Sequence, residues 1–77
     1  NDWPVEVLAR ESVGQGGTPQ IVESSLLEIK PMSLDEAALA LDTSRHEFVV
    51  FRDASSERVN VLYRRKDGNF GLISPEL

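Results

Sequence analysis

The residues of this chain that could do chemistry are few. They are His46, the nearby carboxylates Asp42 and Glu47, and the basic run Arg64-Arg65-Lys66. A general base needs a nucleophile within reach and a partner to orient it, and a single imidazole supplies neither. A metal would need further ligands. Glu47, the next residue in an extended segment, points to the opposite face from His46. His46 is therefore expected to be satisfied locally at the start of a strand, and Asp42 and Glu47 to be solvated. No catalytic residue, metal site, cofactor or small-molecule substrate is expected. Gly14, Gly16 and Gly17 lack the strand–turn–helix context of a phosphate-binding loop. Arg64, Arg65 and Lys66 could contact RNA phosphates. Basic residues at a sheet edge also block edge-to-edge pairing, and in an acidic domain that weighs more. Tyr63 could stack on a base, but beside Val59 and Val61 it fits an apolar interface better.

Size and charge narrow the setting. With 77 residues and no cysteine, one domain is the ceiling, and neither disulfides nor cysteine-bound metal can staple it. Small unstapled domains often complete their core by oligomerising. No apolar run approaches the length of a membrane-spanning helix. The absence of cysteine fits a reducing compartment, and the start at Asn1 fits a piece of a longer protein. Net charge is −5, spread unevenly: −2 over residues 1–20, −4 over 21–53 and +1 over 54–77.

These candidates hang on a three-stranded meander. Phe48–Arg52 and Val59–Arg65 read as strands joined by the loop Asp53–Arg58. A third strand, Phe70–Ile73, is entered through Lys66-Asp67-Gly68-Asn69, where an Asp-Gly hairpin calls for positive φ at both central positions. Side chains alternate along a strand. Phe48 and Val50 therefore share one face and Val49 and Phe51 the other; Val59, Val61 and Tyr63 oppose Asn60, Leu62 and Arg64. The first strand is apolar on both faces.

The rest of the chain offers little cover. Residues 1–20 are expected to be a flexible tether, with Gly14 to Pro19 a linker by composition and Trp3–Val13 open between strand and helix. Residues 21–30 suit a strand that Lys30-Pro31 ends, since proline donates no hydrogen bond. Residues 31–43 predict one helix of about ten residues. Ser33 and Glu36 form its capping box, and Leu34, Ala37, Ala38 and Leu41 its apolar stripe. The expected fold is α+β, in the order β-α-β-β-β, with one helix on a mostly antiparallel sheet. One short helix seals one face, and a second copy meeting the strands is the simplest cover for the other. A monomeric adaptor that captures a foreign strand on its exposed edge or face is the alternative.

The run Lys30-Pro31-Met32-Ser33, Asp35-Glu36-Ala37, His46-Glu47-Phe48, Phe51, then Val59-Asn60-Val61 and Tyr63 through Ile73 resembles one family. It is similar to the C-terminal domain of long-form ribosome hibernation-promoting factors and their plastid relatives, over roughly residues 21–76. The resemblance implies a domain that homodimerises and joins two inactive 70S ribosomes into a 100S pair, with translation blocked by an N-terminal domain on the 30S subunit. It implies no catalysis, no membrane, and a bacterial cytoplasmic or plastid stromal setting. The family's interface phenylalanine falls at Phe48, and Val50, Val59, Val61 and Tyr63 are the further interface candidates. The basic cluster then becomes a candidate contact to ribosomal RNA. The chain departs from the family at Glu47, Val49, Thr43-Ser44-Arg45 and Glu57. The last stands where glycine is common, and a retained positive φ there would cost about 1 kcal/mol.

Overall fold

A computed structural model describes residues 2–75. Its strands are β1 (Asp2–Leu8), β2 (Ile21–Glu28), β3 (Lys30–Met32), β4 (Phe48–Asp53), β5 (Val59–Arg64) and β6 (Phe70–Ile73). One α-helix, α1 (Leu34–Asp42), lies between β3 and β4, and a short 3₁₀ turn occupies Arg10–Ser12. The class is α+β, with one helix against a mostly antiparallel sheet of order β3-β4-β5-β6, in which only β3 runs parallel to β4.

The helix begins where its capping box requires. The Ser33 hydroxyl accepts from the Glu36 amide at 3.1 Å, and the Glu36 carboxylate accepts from the Ser33 amide at 2.9 Å. Ala37 and Leu41, four residues apart, face the sheet and meet Phe51 and Leu62 in the core, with Met32, Ala38 and Val49 at its margin. Ile29 is also buried. Leu34 and Leu39, expected to belong to the stripe or to extend it, are exposed. Nine residues, about 13 Å of helix, cannot turn every leucine inward over so narrow a sheet.

Three details depart from expectation. Lys30-Pro31 does not end the strand: after Ile29 the chain re-enters extended pairing as β3, with Pro31 inside it. An edge strand tolerates this because one side of its backbone needs no partner. Residues 2–8, within the stretch expected to be a tether, form β1 and pair antiparallel with β2 from Asp2↔Glu28 to Leu8↔Ile21. The third is the β5–β6 hairpin, a three-residue loop, Lys66-Asp67-Gly68, closed by Arg65 N–H to Asn69 O at 2.9 Å. Only Gly68 has positive φ (90°), whereas the expectation was two such residues. The longer loop needs a left-handed residue at its last position alone. It also ends β5 at Arg64.

Candidate interaction face of the sheet

Register fixes which side chains share a face. Across β4 and β5 the pairs are Phe48↔Tyr63, Val50↔Val61 and Arg52↔Val59; across β5 and β6 they are Val61↔Ile73 and Tyr63↔Gly71. With Val49, Phe51, Asn60 and Leu62 turned to α1, the opposite side carries Phe48, Val50, Val59, Val61, Tyr63 and Ile73, with Arg52 at the end of the β4 row. All five residues singled out from the sequence thus lie on one face, away from the helix. Phe48 is 53 % exposed and Ile73 57 %, while Val50, Val59, Val61 and Tyr63 are half-buried by their neighbours. Antiparallel sheets usually turn polar residues to an uncovered side. This one turns valines and aromatics outward.

Tyr63 lies flat across its cross-strand neighbour. A β-carbon at position 71 would run into the Tyr63 ring, so Gly71 is the residue that lets the ring rest on the sheet. An aromatic laid over a strand glycine covers backbone that would otherwise be bare. The result is a smooth apolar surface.

The basic cluster divides. Arg64 faces the helix side, and its guanidinium donates to the carbonyls of Leu41 (2.6 Å), Ser44 (3.1 Å) and His46 (3.0 Å). The last turn of α1 has no basic residue and ends on Asp42. Its carbonyls, the negative end of the helix dipole, therefore take their positive charge from β5. Arg65 is exposed and pairs with Asp67 at 3.0 Å. That pair raises the Arg65 pKa, and Asp67 is held below the usual carboxylate value, first by the Asn69 amide and then by Arg65. Lys66 is exposed at the turn. The three residues do not form one basic patch.

His46 stands in the bend after α1, its amide donating to Ser44 Oγ at 3.2 Å and its carbonyl accepting from Arg64. Glu47 and Asp42 are exposed. Among the described residues no cluster of three or more histidines and carboxylates could hold a metal ion. Glu57 keeps a positive φ of 62°, and its carbonyl accepts from the Arg52 guanidinium at 3.0 Å. The Asp53 carboxylate, bonded to Ser55 and Ser56, closes the same loop and is lowered in pKa by those two residues.

Two features escaped the sequence reading. The Arg64 cap had a signal: an arginine on the helix-facing parity of β5, opposite a helix with no base in its last turn. Asn60, 6 % exposed with its Oδ1 buried and without a donor, had none.

A family model described as "Sigma 54 modulation/S30EA ribosomal protein C terminus" matches residues 17–72. Three similar proteins each carry the name ribosome hibernation promotion factor. That of Lactococcus lactis is 46 % identical over 56 residues, covering 73 % of this chain and 30 % of its own. That of Bacillus subtilis is 34 % identical over 70 residues, covering 91 % and 37 %. That of Bradyrhizobium diazoefficiens is 42 % identical over 60 residues, covering 78 % and 30 %. The chain thus spans about a third of the length of these relatives.

Proposed function

The chain belongs to the sigma 54 modulation/S30EA ribosomal protein C-terminal family, and on that premise we propose that it is the pairing device of a ribosome hibernation factor. Two copies meet through the open faces of their β4–β6 meanders, burying Phe48, Val50, Val59, Val61 and Tyr63, and so couple two inactive 70S ribosomes into a 100S pair. Contact with the 30S subunit falls mainly to a separate N-terminal domain, in a bacterial cytoplasm or a plastid stroma. The device needs no catalytic step.

The observation that supports this reading is the exposed apolar face. Two-fold pairing puts the same patch on both sides of the joint, so the patch must be self-complementary. A flat face of valines with two aromatics at one end meets that demand. The basic cluster plays a smaller part: Arg64 is occupied at the end of α1, which leaves Arg65 and Lys66 for contact with ribosomal RNA phosphates. Replacing both by glutamine then weakens ribosome association at low salt and makes it fall less steeply as salt rises.

Sedimentation equilibrium of the 77-residue chain tests the pairing. The expected mass at micromolar concentration is twice the 8.6 kDa of one chain. A single-chain mass across that range overturns it and favours the adaptor alternative. In the full-length factor, removal of this region should abolish the 100S peak while leaving binding to single ribosomes intact.

A further inference from the structure

Among the described residues the β1–β2 hairpin pairs with no strand of the four-stranded sheet. It forms a separate two-stranded sheet, and the four-stranded sheet excludes it. Isolated two-stranded hairpins are marginal in water. On one side of this one, the pairs Trp3↔Leu27, Val5↔Ser25 and Val7↔Glu23 line up three apolar β1 residues beside a leucine. On the other side, Leu26 is 67 % exposed. The molecule is correspondingly extended. Its radius of gyration is 14.8 Å, against about 11.5 Å for a compact chain of this length. Its surface is 6171 Å², against about 4,700 Å² for a globular protein of its mass. The surplus, about 1,500 Å², exceeds the roughly 800 Å² each partner contributes to a standard interface.

A place for the hairpin exists on the four-stranded body. β3 pairs only with Phe51–Asp53, so the outer edge of β4 along Phe48–Val50 carries no strand. Beside that edge runs a groove of about 360 Å³, lined by Met32, Ala40, Leu41, Phe48, Val49 and Val50 among others. Its own hairpin reaches it only at the base, through Leu27 and Glu28. The groove is continuous with the open face through Phe48 and Val50. Charge favours the match: residues 2–28 hold five acids and one base, a net of −4, while residues 48–73 hold three acids and five bases, a net of +2.

We propose that the β1–β2 hairpin is an exchanged arm, which in the homodimer lays its Val5–Val7 stripe along the bare β4 edge and groove of the other copy. This rests on the pairing reading above and adds a second contact to it. Each copy then covers what the other leaves open, and the arm gains the packing it lacks alone.

A mixed dimer tests it, with one copy isotope-labelled and the other not. Isotope-filtered NOEs are expected from the Val5 and Val7 methyls to the Phe48 ring and the Met32 and Val50 methyls of the unlabelled copy. In a second measurement, the double variant Val5→Ser, Val7→Ser should raise the dimer dissociation constant about 100-fold, the effect of re-exposing four half-buried valines per pair. A stable dimer that lacks those NOEs and tolerates the double variant overturns the arm and leaves the pairing intact. A chain that stays monomeric at micromolar concentration overturns both.

Discussion

Phe48→Ala is the substitution whose size can be worked from the structure. A phenylalanine side chain has roughly 200 Å² to bury, and 53 % of Phe48 is still exposed in the single chain. Covering it in the pair removes about 100 Å² from water per copy, or about 2.5 kcal/mol at 25 cal/mol per Å². Two copies give about 5 kcal/mol, and the methyl left by alanine keeps about 1 of that. The expected loss is about 4 kcal/mol, roughly a thousandfold in the dimer dissociation constant. Within one chain Phe48 is a half-exposed residue opposite Tyr63, a cross-strand pair worth less than about 1 kcal/mol, so the fold survives. Fluorescence-detected sedimentation velocity over a nanomolar-to-micromolar series reads the constant directly. Leu39→Ala, on the side of α1 away from the sheet and 64 % exposed, is the control and should leave it unchanged. A Phe48→Ala constant within tenfold of the parent would refute Phe48 as a central anchor.

Three further changes test the surrounding structure by urea unfolding. Glu57→Gly relieves a left-handed backbone at φ 62° and should stabilise the fold by about 1 kcal/mol; a loss would mean that the Glu57 side chain holds the loop. Gly71→Ala drives a methyl into the Tyr63 ring and should cost about 1–3 kcal/mol, with a matching loss of dimer affinity as the ring lifts. A neutral result would show that Tyr63 does not need its place on Gly71. Arg64→Gln removes the charged donor to three carbonyls at and just beyond the end of α1 and should destabilise by about 2 kcal/mol, whereas Lys66→Gln should be silent. Equal effects would undo the separation of Arg64 from the rest of the basic run.

What could be read from the residues was local. The capping box of α1 depends on positions three apart, and the two faces of β4 and β5 depend only on parity. Both are therefore visible in Ser33, Glu36 and the alternation of Phe48 through Phe51. The features that needed the structure are non-local. β1 finds its partner across a glycine-rich loop, so the alternation of Val5 and Val7 left strand and helix open. Arg64 reaches carbonyls 18 to 23 positions back in the chain, which no short motif encodes. The turn at Asp67-Gly68 was ambiguous for a different reason: two- and three-residue loops share the same dipeptide and differ only in which backbone positions are left-handed.

The sheet is apolar on both sides, where a solitary domain would turn polar residues to the uncovered one. The sealed side packs Val49, Phe51 and Leu62 against α1 and also holds Asn60, with a buried, unpaired oxygen, and Arg64, spanning to the end of α1. The uncovered side holds Phe48, Val50, Val59, Val61, Tyr63 and Ile73, with Arg52 beside Val59. A lone domain of this size gains nothing from the outward row, since apolar side chains stabilise only where water is excluded. Arg64 lies on the sealed side because the acidic end of α1 takes its cation from the sheet. The outward apolar row follows if the uncovered side is itself a core, shared between two chains. Gly71 supports this. A glycine weakens a strand, and here it leaves room for an aromatic ring to lie flat, which flattens the face. A flat apolar face does nothing for a domain exposed to solvent, but it lets two copies of one surface meet without gaps.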